Sequence, residues 1–143
     1  LRSEEDRFSL INGIKDGLID VIVSDHKPED EESKRLPFAK AATGAIGVET
    51  LLPLSLELFH NQSLTLKKII ETLTINPSKI LKIKKGSLKK GYDADVCVFD
   101  LNKPWVVKAE KLKSKSKNTA IEDRKLQGKV LMTFLNGELV FNL

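Results

Sequence analysis

The chain is poor in the residues that form covalent bridges and hold ions. Its single cysteine, Cys97, can close no disulfide within the chain. Set in the apolar run Val96-Cys97-Val98-Phe99, it reads as a small buried hydrophobe in a reducing compartment. The two histidines, His26 and His60, stand far apart, and neither has another metal-binding residue at ligand spacing. One tryptophan and one tyrosine leave little to stack on bases. The net charge of +4 is spread over lysines dispersed among nearly as many acids, which argues against nucleic acid as a partner. No apolar run approaches the ~20 residues of a membrane span. The acidic, polar start does not have the pattern of a signal peptide. These absences point to a cytoplasmic protein.

The 143 residues, 41% hydrophobic and 31% charged, have the composition of a folded domain with a real core. The most informative stretch is Ile19-Asp20-Val21-Ile22-Val23-Ser24-Asp25-His26-Lys27-Pro28. A β-branched apolar run ends there at a polar corner. A buried parallel strand looks like this when it delivers a carboxylate to the mouth of an α/β fold. Before it, Ser3-Glu4-Glu5-Asp6 has the form of a capping box. Phe8, Leu10, Ile11 and Ile14 mark an apolar helix face, and Gly17 supplies the C-terminal turn.

After Pro28, the acidic segment Glu29 to Arg35 reads as a solvated loop or a frayed helix turn. Ala41 to Gly47 is small enough to let backbone approach a ligand or a neighbouring strand. Val48 to Phe59 reads as a helix apolar around most of its circumference, with Pro53 tolerated in its first turn. Ser63 or Thr65 caps a further helix through Leu73. Asn76-Pro77 reads as the cap and first residue of a short one ending near Leu81. Beyond Lys84-Lys85-Gly86 come short strands: Ala94 to Phe99, Trp105 to Val107, Lys129 to Leu135 and Glu138 to Phe141. Asn136-Gly137 forms a type I′ hairpin turn between the last two. The basic, serine-rich stretch Lys111 to Lys117 reads as an exposed loop. Residues 1–83 therefore form an α/β part and residues 84–143 a small β-rich part, with no internal repeat.

Several of these motifs occur together in one family. Leu1-Arg2-Ser3-Glu4-Glu5-Asp6-Arg7, Asp16-Gly17-Leu18-Ile19-Asp20, Ser24-Asp25-His26-x-Pro28 and Gly44-Ala45-Ile46-Gly47-Val48-Glu49-Thr50-Leu51-Leu52-Pro53-Leu54 resemble, in order and spacing, the C-terminal third of dihydroorotases. These form part of the cyclic-amide-hydrolysing branch of the amidohydrolase superfamily. Gly86-Ser87-Leu88-x-x-Gly91-Tyr92-Asp93-Ala94-Asp95-Val96, Ser116-Lys117-Asn118-Thr119 and Gly128-Lys129-Val130 are similar to the superfamily's return into its small β domain. The resemblance covers essentially the whole chain. Gly-x-Glu-Thr-x-x-Pro-Leu favours dihydroorotase over hydantoinase, with allantoinase the nearest competitor.

The resemblance implies an α/β fold: the C-terminal βα units of a (β/α)8 TIM-type barrel over 1–83, then a small β domain, part of a composite β-sandwich, over 84–143. It implies zinc-dependent interconversion of N-carbamoyl-L-aspartate and L-dihydroorotate in pyrimidine biosynthesis. Asp25 matches the family's zinc ligand and general base after the last barrel strand. Thr43 and Gly44 fall where the family contacts substrate, largely through backbone, although many relatives carry an aromatic residue at Thr43. His26 matches no principal zinc ligand, and a role in supporting the metal ligands or in packing is expected for it; His60 reads as a surface or capping residue.

Two departures bear on this. Glu29 stands where many dihydroorotases have a histidine for the substrate carboxylate, and it would repel a dianion unless protonated, displaced or paired with Lys27 or Arg35. The family's His-x-His, its bridging carboxylated lysine and its two later zinc histidines have no counterpart here. Beginning at Leu1 with no methionine and no strand before the first helix, the sequence reads as the C-terminal portion of a longer chain. By itself it is expected to be inactive, to retain no zinc and to self-associate. The alternatives are a non-catalytic dihydroorotase-like subunit assembling with aspartate transcarbamoylase, an allantoinase-like cyclic amidohydrolase, and a stand-alone α/β binding protein.

Overall fold

A computed structural model describes residues 3–143; Leu1 and Arg2, the start of the first motif, lie outside the described residues. Helix α1 spans Glu4–Asp16 and opens with the reciprocal capping box. The Asp6 N–H donates to Ser3 Oγ at 3.1 Å, and the Ser3 N–H donates to Asp6 Oδ2 at 3.3 Å. It closes on Gly17 in the left-handed region, φ 80°. Only Ile11 and Ile14 of its apolar face are buried, packing with Leu64 and Ile69, while Phe8 and Leu10 are exposed.

The apolar run Ile19 to Val23 joins no strand ladder; the one β-bridge in this region pairs His26 with Ala45, in parallel. A parallel strand needs neighbours across its own edges. Here Ile22 only donates its N–H to the Thr72 carbonyl, at 3.3 Å. The one-turn helix α2, Glu31–Lys34, then starts on Asp30, whose carboxylate accepts from the Ser33 N–H at 2.7 Å. That contact holds the Asp30 carboxyl below its ordinary pKa.

A 3-10 turn at Val48–Thr50 leads into α3, Leu51–His60, with Pro53 in its first turn. The next helix, α4 (Leu66–Leu73), is capped by Thr65 and not by Ser63. The last, α5 (Ile75–Ile80), starts two residues earlier than the Asn-Pro pair suggests, with Thr74 at its cap position. Asn76 is employed elsewhere: its Nδ2 donates to the Asp20 carbonyl at 2.9 Å, tying α5 to the run before the Asp25 corner.

The β part is one antiparallel sheet ordered β1-β2-β3, with β1 at Val96–Val106, β2 at Lys125–Leu135 and β3 at Glu138–Asn142. The two apolar runs expected as separate strands form a single strand β1, interrupted where Asp100 Oδ1 accepts from the N–H groups of Asn102 and Lys103. Asn136 and Gly137 both have positive φ, 52° and 84°, as a type I′ turn requires. Cys97 is exposed, against expectation, and lines an open groove beside the sheet. Its partly apolar surroundings still push the thiol pKa up.

Two clusters hold the chain together. One joins α1 to α4 through Ile11, Ile14, Leu64 and Ile69. The other joins Ile46 and Leu54 to Val107, Leu112 and Leu126, across the boundary expected near residue 83. Glu57 of α3 makes a two-pronged ion pair with Arg124 at 2.6 and 2.9 Å, on the same seam. Lys85 pairs with Asp93 and Asp95 where the chain enters the sheet. That hydrogen bond to Lys85, with one from the Asn136 N–H, holds the Asp95 carboxyl below its usual range. An open apolar groove of about 1270 Å³ runs between the helices and the sheet, lined in part by Val48, Leu52, Leu73, Val96, Phe99 and Trp105.

Candidate active-site corner

Asp25 has φ 44°, a left-handed conformation unusual outside glycine but tolerated by aspartate. It is exposed. Such backbone outliers persist where surrounding contacts over-determine them, and they cluster at functional sites. Here the contacts are specific. His26 bridges Ala45, the Lys27 N–H donates to the Ala45 carbonyl at 2.9 Å, and His26 Nδ1 accepts from the N–H groups of Gly47 and Val48 at 3.0 and 3.4 Å. The Asp25 corner is thus fastened to the 44–48 loop through the two residues that follow the carboxylate. A Cβ on Gly47 would stand 2.9 Å from the Ser24 carbonyl oxygen, so only glycine permits this closeness.

Accepting those two N–H groups requires His26 Nδ1 to be unprotonated, which fixes the proton of the neutral ring on Nε2. The packing role expected for His26 is therefore filled by a directional hydrogen bond. His60, expected at the surface, is half-buried against the Phe59 ring, with its Nε2 enclosed and unpartnered.

Thr43 and Gly44 lie beside Lys27, two residues from Asp25. Lys27 Nζ donates to Thr43 Oγ1 at 3.3 Å, and its aliphatic stem packs over Gly44, whose φ is 128°. The same ammonium lies 3.2 Å from Glu29 Oε1. Of the two cations weighed as partners for Glu29, Lys27 pairs with it and Arg35 pairs with Glu31. The Lys34 ammonium turns inward from α2 and donates to the carbonyls of Ala42 and Gly44 at 2.8 and 3.0 Å.

The stretch Lys111 to Lys117 is an exposed loop, as expected, but an anchored one. Leu112 is buried, and Glu49 accepts from the N–H groups of Lys113 and Ser114 at 2.7 and 3.2 Å. Ser116 and Asn118 continue this belt onto the corner itself. Lys34, Glu49 and Asn118 were not singled out as site residues by sequence reasoning. The signals were the strings Gly-x-Glu-Thr and Ser-x-Asn, whose partners are distant backbone groups.

Among the described residues, no three His, Cys, Asp or Glu side chains gather as a metal site would require. Asp25 offers one carboxylate, and His26 commits Nδ1 to backbone N–H groups. The donors in these residues do not amount to a metal centre. What they can do is hold one exposed carboxylate in a fixed relation to the backbone of residues 43–48. Among the described residues, no helix is long and apolar enough to cross a membrane.

Comparison with known proteins places the corner in context. Residues 1–140 match the model of the amidohydrolase family. The chain is 47% identical over 141 residues to the dihydroorotase of Ehrlichia chaffeensis, covering 99% of this chain and 32% of that protein. To the dihydroorotase of Aquifex aeolicus it is 43% identical over 141 residues, covering 99% and 33%. Among solved structures it superposes on the L-hydantoinase (dihydropyrimidinase) of Arthrobacter aurescens with a TM-score of 0.90 at 31% identity, over 99% of this chain and 33% of that one. On the dihydropyrimidinase of Brevibacillus agri the TM-score is 0.93 at 21% identity, over 99% and 32%, a likeness of fold alone. The chain thus spans about a third of the length of the curated relatives it matches.

Proposed function

The chain belongs to the amidohydrolase family, and on that premise we propose that it is the C-terminal third of a dihydroorotase. The activity belongs to the whole cytoplasmic enzyme: opening and closing the cyclic amide of L-dihydroorotate in pyrimidine biosynthesis. Residues 1–83 supply the last βα units of a (β/α)8 barrel and residues 84–143 a small β domain. The observation that carries this reading is the fastened corner, an exposed Asp25 at φ 44° bound to the 44–48 loop. The choice of dihydroorotase over hydantoinase is supported by 42–47% identity to five dihydroorotases over 99% of the chain.

In this reading Asp25 is the general base and acid. A water oxygen adds to the ring carbonyl carbon, and Asp25 takes the water's proton. The ring C–N bond then breaks, and Asp25 returns the proton to the departing nitrogen. Thr43 and the Gly44 backbone hold the substrate beside it. Zinc is the metal we assign to the complete enzyme, with Asp25 its one donor from these residues. Lys27 neutralises Glu29, so the acid at the histidine position does not by itself bar a dianionic substrate.

The test is an assay of the full-length protein with L-dihydroorotate, allantoin and hydantoin, following ring opening by chromatography. Dihydroorotate is expected to be the preferred substrate. Preference for allantoin would move the protein to the allantoinase-like branch. No turnover of any of the three, in a protein that binds aspartate transcarbamoylase, would establish the non-catalytic subunit.

A second expectation concerns the 143-residue chain alone. Phe38, Leu88, Leu18 and Val23 are 71–101% exposed, both outer strands of the sheet have open edges, and the apolar groove is uncovered. Surfaces of this kind drive association. We expect the isolated chain to self-associate and to open no dihydroorotate. Sedimentation as a compact monomer at ~100 μM, well above the ~1 μM Kd of a modest interface, would refute the first part.

A further inference from the structure

We propose that Asn118 is a positioning residue that holds the Asp25 corner and the Gly44 loop in register. The idea rests on the functional reading above. His26 joins these two segments from within; Asn118 joins them from outside, on a segment more than seventy residues further along the chain. Its Nδ2 donates to the Gly44 carbonyl at 3.2 Å and to the Lys27 carbonyl at 3.4 Å. Its Oδ1 accepts from the Glu29 N–H at 3.4 Å, and its own carbonyl accepts from the Ile46 N–H at 3.2 Å. Both strands of the bridged pair, residues 27–29 and 44–46, therefore end on one side chain and its backbone.

Only a carboxamide suits this position. Two carbonyls need two donors and one N–H needs an acceptor, and the Asn amide offers that set without charge. The amide is oriented by the Glu29 N–H on its oxygen and the two carbonyls on its nitrogen; Ser116 Oγ packs within hydrogen-bond distance of Asn118 Oδ1 and the Glu29 carbonyl, its single proton serving one of them at a time. A flipped amide would face Gly44 and Lys27 with an oxygen, opposing two acceptors. The individual bonds are long, so what the bracket contributes is geometry more than stability. Geometry is what the reaction needs, since the carboxylate must stay within reach of a water poised at a substrate held by the other segment.

The experiment compares Asn118→Ala, Asn118→Asp and Ser116→Ala in the full-length enzyme, measuring kcat and KM separately and the thermal midpoint alongside. Displacing a catalytic group by about 1 Å can lower the rate a hundredfold. On that scale we expect kcat to fall about tenfold for Asn118→Ala and about a hundredfold for Asn118→Asp, with KM changed less than about threefold. Asn118→Asp has a further signature. A protonated carboxyl regains one donor, so the ratio of this variant's kcat to the wild type's should rise as pH is lowered. Should Asn118→Asp fail to fold, Ser116→Ala still reads the bracket, through a smaller loss in kcat at unchanged KM. A wild-type kcat in the Ala and Ser116 variants, or a pH-independent ratio for Asn118→Asp, would overturn the proposal while leaving the functional reading intact. A wild-type enzyme that opens no cyclic amide would remove the functional reading, and this inference with it.

Discussion

Asn in place of Asp25 is expected to lower kcat of the full-length enzyme by about a thousandfold, within the range that general acid–base catalysis supplies, and to leave the fold intact. The substitution is a clean one for a structural reason. At φ 44° most side chains are strained, and Asn is, with Asp, among the few that adopt this region readily. Asp25→Asn therefore keeps the corner, the His26 bonds to Gly47 and Val48, and the size of the side chain. It removes only the capacity to take a proton and the charge offered to a metal. Asp25→Ala would confuse lost chemistry with backbone strain. The zinc content of the purified variant, measured beside kcat, separates loss of the base from loss of the ion. If the variant with full zinc keeps more than about a tenth of the wild-type rate, Asp25 is not the proton carrier, because removing a general base should cost at least ~10²-fold.

That Asp25 could be picked out beforehand, while its surroundings could not, follows from where the information lies. The capping box at Ser3, the Gly17 terminus and the Asn136-Gly137 turn depend on backbone chemistry within four residues, and each is in place. The run Ile19 to Val23 has the composition of a buried strand, yet strand formation needs a neighbouring edge, and within these residues it finds isolated contacts to Gly13, Thr72 and Asn76 and no ladder. Composition was right but incomplete at Lys111 to Lys117, an exposed loop as expected. Four lysines in seven residues signal water, and all four are exposed; the segment is also anchored through main-chain N–H groups to Glu49, and its side-chain composition is silent about that. Asn76 did mislead, since an Asn before Pro is good cap chemistry until a carbonyl at Asp20 claims the amide. The candidate site divides along this line. Asp25, Thr43 and Gly44 are legible as a motif, while Lys34, Glu49 and Asn118 act on backbone groups and become visible only once the chain is folded.

The seam between the helical part and the sheet should be the most sensitive place in the core, and Leu56→Ala its most damaging substitution. Leu56 is fully buried in α3, which packs on β2. Its Cδ1 lies 2.5 Å from where a Cβ on Gly128 would stand, so the leucine fills the space that the glycine leaves. Truncating such a residue removes the transfer free energy and leaves a cavity; on that basis Leu56→Ala should destabilise by about 3 kcal/mol. Leu18→Ala, at a site 82% exposed, should change stability by less than about 0.5 kcal/mol. The midpoint of urea unfolding at unchanged m-value measures both, at a concentration where sedimentation shows the chain monomeric. The reverse change, Gly128→Ala, meets two obstacles, the Leu56 methyl and a φ of 100°. Combining it with Leu56→Ala relieves the first and not the second. The double variant should therefore be more stable than the sum of the single effects, yet less stable than Leu56→Ala alone. Simple additivity would mean that Leu56 and Gly128 do not share the space, and the seam would then have to be held by the Ile46–Val107–Leu126 cluster instead.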